Sequence, residues 1–185
     1  MLFSKIFSAG AVMAASAMAA LTPTQIADGL RRVTTLSQDL QAPAQSITIV
    51  NAPLIVIGQG PFPDIISGFT QIVSTATVVV GQFPGTAKIT NEADATLVFD
   101  VFRNFVRVHQ ELLNILIGKV GVLTKVPLVG QPVAAVLRSV ENVVDTIAIT
   151  LINTVESRAQ DLESEANSLG SSLDLCIQQY EGLKV

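Results

Sequence analysis

The chain of 185 residues holds one cysteine, one histidine, no tryptophan and, from Gln41 to Ala87, a single formal charge, Asp64. Each scarcity excludes something. Cys176, being alone, forms no intramolecular disulfide, so stability has to come from packing. It lies on an apolar stripe with Leu169, Leu173, Ile177 and Tyr180, which reads as a buried structural thiol, with pairing between chains as the alternative. Cysteines are not paired for a metal, and there is no His-Glu-x-x-His, no Gly-x-Ser-x-Gly elbow and no phosphate-cradling glycine loop. Catalysis therefore has no motif behind it, and no metal or cofactor is implied. There is also no Asn-x-Ser/Thr acceptor for N-glycosylation. Charged residues make up 14% of the chain against 49% apolar ones, the balance of an oily globular protein and not of a disordered one.

The low-charge stretch is not a membrane span. Pro43, Pro53, Pro61, Pro63 and Pro84 break it, and its longest proline-free run, Asp64 to Phe83, contains Ser67, Thr70, Gln71, Ser74, Thr75, Thr77 and Gln82. A lipid-facing helix needs about 20 mostly apolar residues without such interruptions. The composition points to a protein that holds or touches something greasy without stable membrane insertion. A membrane-inserting protein working through Ile65 to Val80 is the third-ranked class.

Residues 1–19 read as a signal peptide. Lys5 is the positive region, Ile6 to Ala15 the apolar one, and Ala17-Met18-Ala19 the small-x-small cleavage site. Residues 20–185 then form one domain with a net charge of about −5, since loss of Lys5 leaves ten Lys and Arg against fifteen Asp and Glu. That sign argues against nucleic acid as a partner. The C-terminal Tyr180-Glu-Gly-Leu-Lys-Val185 is not the hydrophobic tail of a lipid-anchor signal. The expectation is release after cleavage.

The spacing predicts an all-α bundle of about four to six helices, two of them long and central. Thr22-Pro23-Thr24-Gln25 is a capping box with proline at the first helical position, and Ile26, Leu30, Val33, Leu36 or Ser37, and Leu40 carry the first helix to about Ala42, where Pro43 stops or kinks it. Residues 44–57 are ambiguous: Ile47 to Val50 and Leu54 to Ile57 have strand-like β-branched content, and a kinked helix is the preferred reading. A second helix runs from Asp64 to about Gly81. A third, about Asn91 to Leu123, has its stripe at Val98, Phe102, Phe105, His109, Leu112, Leu116, Val120 and Leu123, with Gly118 and Gly121 expected at a close helix approach. From Pro132 the periodicity continues through Leu173 for some 40 residues, with a bend expected near Gly170.

The block Phe102-Arg-Asn-Phe-Val-Arg-Val-His-Gln-Glu-Leu-Leu-Asn-Ile-Leu-Ile-Gly-Lys-Val-Gly121, then Val126-Pro-Leu-Val-Gly-Gln-Pro-Val-Ala-Ala-Val-Leu137 and Glu141-Asn-Val-Val-Asp-Thr146, resembles the fungal hydrophobic surface-binding protein A family, which includes cell-wall galactomannoproteins. The resemblance implies a secreted helical domain that encloses long-chain fatty acids or adsorbs to hydrophobic surfaces, and a part in bringing esterases to insoluble substrates. It departs from cell-wall members in having no Ser/Thr-rich tail, so secretion or loose wall association is the expected location.

A lipid site needs an apolar cavity with a few polar groups at the head. The candidates are Phe69, Phe105, Leu112 and Leu116 for the walls, and Ser67, Thr70, Ser74 and His109 for the head group. The Ser/Thr row, which continues to Thr77, is otherwise a solvated helix face. His109, between Phe105 and Leu112, is otherwise a hydrogen-bonded core residue. Arg103 and Arg107, flanked by Asp100 and Glu111, have the spacing of an exposed ion-paired face and a lesser claim on a head group. The expected tunnel or groove lies between the helices at 64–81, 102–123 and 133–155.

Overall fold

In the computed structural model the described residues are 20–183 except 125, 127 and 128, so the expected signal peptide lies outside them. Among the described residues there is no strand. Five long helices, α1 (Pro23–Asp39), α3 (Phe62–Gly81), α4 (Glu92–Leu123), α5 (Gly130–Thr154) and α6 (Ala159–Glu181), are joined by a short α2 (Gln41–Gln45) and two 3-10 turns at Ala52–Ile57 and Glu156–Arg158.

The helix starts follow from local chemistry. At α1, Thr22 Oγ1 accepts from the Gln25 amide at 3.2 Å while Gln25 Oε1 accepts from the Thr22 amide at 2.9 Å, so two orphan donors are satisfied reciprocally. At α4, Asn91 Oδ1 accepts from the amides of Ala93 and Asp94 at 2.9 and 3.1 Å, and Glu92 and Asp94 complement the helix dipole. Pro43 does not kink α1. The helix ends at Asp39 and restarts as α2, which puts Pro43 in a first turn where its missing N–H has no bond to lose.

Residues 46–58 are neither strand nor regular α-helix. The Thr48 amide donates to Asn51 Oδ1 at 2.8 Å and Asn51 Nδ2 donates to the Ser46 carbonyl at 2.7 Å, so this segment bonds to itself instead of offering a ladder. The following 3-10 turn ends at Gly58, whose φ of 70° is the left-handed conformation that glycine adopts without a Cβ penalty.

Around the bundle the packing order is α1–α3–α5–α6–α4 and back to α1, a closed ring. A Cβ on Gly29 would meet Val79 and one on Gly68 would meet Leu40, so α1 and α3 run antiparallel. Gln110 on α4 bonds Ser168 and Ser172 on α6, while Arg158 just before α6 pairs with Glu92 at the start of α4; those two helices run parallel. Each helix turns its apolar face inward, and each fully buried Leu, Ile or Phe there contributes about 1.5–3 kcal/mol from burial alone.

Two sequence expectations are corrected here. The run from Pro132 to Leu173 is not one helix bent near Gly170. α5 stops at Thr154, and the chain reverses over Val155 to Arg158 with no glycine or proline to mark the corner. The Ile89 amide donates to the Thr154 carbonyl at 2.8 Å and so satisfies one of the groups left open at the α5 end. Gly118 and Gly121 do not mediate a close approach either, because a Cβ at either would stand in open space. Tight approaches occur instead at Gly68, against Leu40, and at Gly130, where a Cβ would lie 2.3 Å from the Tyr180 carbonyl oxygen.

Candidate functional site

The polar centre of the ring interior is a pair, Ser37 on α1 and His109 on α4. Both are fully buried. Ser37 occupies the inward position because Ile26, Leu30, Val33, Ser37 and Leu40 keep alternating four- and three-residue steps; Leu36, the other sequence candidate, is only partly buried. His109 follows Phe105 by one turn on the stripe that buries Phe102, Leu112 and Leu116.

Ser37 Oγ and His109 Nδ1 are 2.9 Å apart. The serine hydroxyl also lies 3.2 Å from the Val33 carbonyl oxygen, to which it donates when it accepts from Nδ1–H. The imidazole is flanked by the Phe69 ring, edge-on at 6.2 Å between centroids and 77° between planes, and by the Phe105 ring at 5.4 Å. On the far side of the ring, His109 Nε2 is buried and has no hydrogen-bond partner. An unsatisfied buried polar atom costs about 1–3 kcal/mol, so His109 Nε2 gains from any group that can share a hydrogen bond with it. Burial with no compensating charge lowers the His109 pKa from 6.5 to about 4, which leaves the ring neutral at pH 7.

No Asp, Glu, Lys or Arg among the described residues is buried. The other titratable groups in the interior are Cys176, fully buried with its thiol pushed up to about 12 by desolvation, and Tyr180, whose phenol is also raised, first by desolvation and then by Cys176. Tyr180 is satisfied, its hydroxyl donating to the Leu116 carbonyl at 3.0 Å. The interior is thus apolar and without a buried charged side chain, and His109 Nε2 is its polar side-chain atom without a hydrogen-bond partner.

Five of the eight residues singled out from the sequence therefore share this interior: Phe69, Phe105, His109, Leu112 and Leu116. Ser67, Thr70 and Ser74 do not. They are exposed on the outer face of α3, with Thr70 Oγ1 donating to the Ile66 carbonyl at 2.8 Å and Ser74 Oγ to that of Gln71 at 3.0 Å. The Thr70 and Ser74 hydroxyls are spent on their own helix, the ordinary fate of Ser and Thr at solvated helical positions. Thr77, at the end of the row, lines a shallow groove of about 380 Å³ between α3 and α5 with Val73, Val80, Ser139 and Asn142. Arg103 is bonded to Asp100 at 3.0 Å and lies over the Phe99 ring, and Arg107 is exposed, so neither reaches the interior.

A second groove, about 590 Å³ between α5 and α6, has an apolar floor of Ala148, Ile149, Ile152 and Ala166 but is rimmed by Asp145, Glu163 and Asp174. Those carboxylates repel an anionic head group. α3 is the one helix among the described residues long and apolar enough to cross a membrane; here it is a wall of the ring, with Ile65, Phe69, Ile72, Ala76 and Val79 inward and the Ser/Thr row outward.

The end of the ring beside α2 has a different character. Lys119 on α4 donates to the carbonyls of Gln45 and Ile47 at 2.6 and 2.9 Å, pinning the segment that follows α2. That segment carries no charge from residue 40 to residue 63. It exposes Ile49, Val50, Leu54 and Ile57, the first two at 79% and 87%.

No protein-family model matches the sequence, and no curated protein matches it. Solved structures do match the fold. AFMP4P in complex with palmitic acid superposes with a TM-score of 0.73 at 15% identity, over 86% of this chain and 99% of that one. Ligand binding domain 1 of the Penicillium marneffei MP1 protein, complexed with arachidonic acids, gives 0.74 at 12% identity over 86% and 99%. Its ligand binding domain 2, complexed with multiple arachidonic acids, gives 0.72 at 10% identity over 84% and 93%. The chain therefore has the all-helical fold of these ligand-binding domains.

Proposed function

We propose that this protein binds single-chain lipids, long-chain fatty acids foremost, inside the five-helix ring with the head group at His109. The observation that carries the reading is the buried, unpartnered Nε2 in an apolar interior without charge. The palmitic and arachidonic acid complexes of AFMP4P and the MP1 domains, which share the fold, support it. Burial of a methylene is worth about 0.8 kcal/mol. Even an incompletely desolvated C16 chain then reaches the roughly −8 kcal/mol of micromolar binding after ordering costs. In this reading the protein is a non-catalytic carrier or sequestering agent of the fungal hydrophobic surface-binding type. It is secreted and at most loosely held at the cell wall.

Solvent extraction and mass spectrometry of the protein purified from its native host test this. The expected result is a long-chain fatty acid in a small whole-number ratio to protein, much reduced in His109→Leu. Protein that comes out empty and takes up no added fatty acid sinks the proposal.

A second reading is favoured by the charge-free tip with Ile49, Val50, Leu54 and Ile57 exposed: adsorption to a hydrophobic surface, where the protein would recruit esterases to insoluble substrates. A carrier saturates without change in helix content, whereas a coating protein forms a layer and alters its tertiary signal.

A further inference from the structure

Resting on the carrier reading, we infer that the His109 site accepts a lipid only when head group and imidazole together bear no net charge. A long-chain alcohol then enters as it is, and a fatty acid enters with uptake of one proton from solvent.

The geometry supplies the reason. His109 is fully buried with its Nδ1 committed to Ser37 Oγ at 2.9 Å, so Nε2 is the one atom through which it meets a ligand. No charged group faces that atom from the helices around it. On α1, Asp28, Arg31, Arg32 and Asp39 are exposed; on α3, Asp64 is exposed; on α4, Arg107 and Glu111 are exposed and Arg103 is held by Asp100. α2 carries no charge at all, and on α5 and α6 Arg138, Asp145 and Asp174 are exposed; of the half-buried charges, Lys119 is bonded to the Gln45 and Ile47 carbonyls, Arg158 to Glu92 and Glu181 to Arg138, Glu141 stands beside Asp174 and Arg138, and Glu165 is on α6. Cys176 and Tyr180 are the titratable groups of the interior, and desolvation keeps both un-ionised at neutral pH. An unpaired carboxylate in such a place is prohibitively costly, and the group neutralises instead.

The proton count follows. At pH 7 the empty site holds a neutral imidazole, and an alkyl carboxyl, with a pKa of about 4.3 like that of Glu, is ionised in water. The complex needs one proton on the line between the carboxyl oxygen and Nε2, whichever of the two atoms it sits on, and that proton comes from the buffer. A hydroxyl head group donates its own hydrogen to Nε2 or accepts from it, with no net transfer. Affinity for the acid then falls about tenfold for each pH unit above about 5, while affinity for the alcohol stays level.

Titration calorimetry of delipidated protein with decanoic acid and with 1-decanol, in buffers of different ionisation enthalpy, reads this directly. The expected result at pH 7 is one proton taken up per acid and none per alcohol, with the tenfold-per-unit decline for the acid alone between pH 6 and 8. Stoichiometric acid binding without proton uptake, at an affinity flat in pH, overturns the inference and leaves the carrier reading standing. The same holds if decanol fails to compete with decanoic acid. Failure of both ligands to bind removes the carrier reading itself. In His109→Leu the acid and the alcohol should both bind at least tenfold more weakly, and any acid that still binds should keep its one-proton uptake because the interior stays uncharged; undiminished affinity in that variant places the head group elsewhere and also overturns the inference. Where the variant does not fold, the wild-type measurements decide alone.

Discussion

Acidifying the ligand-free protein should destabilise it through His109. Burial holds the folded-state pKa at about 4, against an ordinary 6.5. Between those values the unfolded chain binds more protons than the folded one, so the stability contributed by keeping the ring neutral is whole above about pH 6.5 and is lost as pH falls toward 4. With one site and those two pKa values, linkage gives a loss of about 0.8 kcal/mol at pH 6, about 2 at pH 5 and about 3 at pH 4. Urea unfolding followed by far-UV circular dichroism at pH 7.5, 6, 5 and 4, on the wild type and on His109→Gln, isolates it. Carboxylates titrate in both proteins and cancel in the difference, whereas the histidine does not. The difference between the two stabilities should move in the variant's favour by about 2 kcal/mol from pH 7.5 to 5, with the denaturant slope unchanged. A difference flat to within about 0.5 kcal/mol, the usual scale of incidental surface effects, would refute the claim that His109 sits neutral and uncompensated in the core.

Ser37→Ala leaves Nδ1 without its partner and should cost about 1–3 kcal/mol in urea midpoint stability; an unchanged midpoint would show that the serine does not hold the ring. Gly130→Ala forces a Cβ to within 2.3 Å of the Tyr180 carbonyl oxygen and should lower the thermal midpoint by an amount equivalent to about 1–3 kcal/mol. Gly118→Ala, in open helix, should raise it by about 0.5–1 kcal/mol, and the same sign for both glycines would refute the packing assigned to Gly130. The double change Ile49→Asp with Val50→Asp should leave stability within about 0.5 kcal/mol, since both side chains are mostly in water. Retention on octyl-coated beads should drop, and equal retention would remove the tip from the adsorption reading.

Where a local interaction or a regular period decides the structure, the sequence is readable. The Thr22–Gln25 box and the Asn91 cap lie where their chemistry puts them, and the expected α4 stripe is buried at every position but Val120, which is only partly buried. The inward positions of Phe69, Phe105, Leu112 and Leu116 were legible for the same reason. The polar pair was half legible: His109 stands out as the sole histidine on an apolar stripe, but its partner Ser37 is separated from it by 72 residues. The step pattern of α1 selects Ser37 over Leu36, yet it takes the parallel packing of α1 on α4 to say what the hydroxyl meets. The Ser/Thr row misleads because a period of 3.6 identifies a face without saying which way it points. The α5–α6 corner is illegible for another reason. The reversal at Val155 uses residues that are all compatible with helix, and the packing of α6 on α5 and α4 fixes it, not a turn signal.

The scarcity of charge in the first half of the chain acquires two separate physical meanings in the fold. From residue 40 to residue 63 it leaves the ring's tip apolar and exposed; along α3 it leaves an inner wall that offers a bound head group no counter-ion. A carrier built to hold carboxylates as anions would set an arginine or lysine inside, as the planar guanidinium does wherever carboxylate recognition matters. Here Arg103 and Arg107 come within two turns of His109 in sequence, Arg103 paired with Asp100 and Arg107 exposed, while the one basic group buried in the interior is a histidine that burial holds neutral. Selectivity in such a ring is for the apolar chain and against net charge. On the carrier reading proposed above, the pH of the surroundings would then govern how much fatty acid the protein holds, through the proton that accompanies each acid to Nε2.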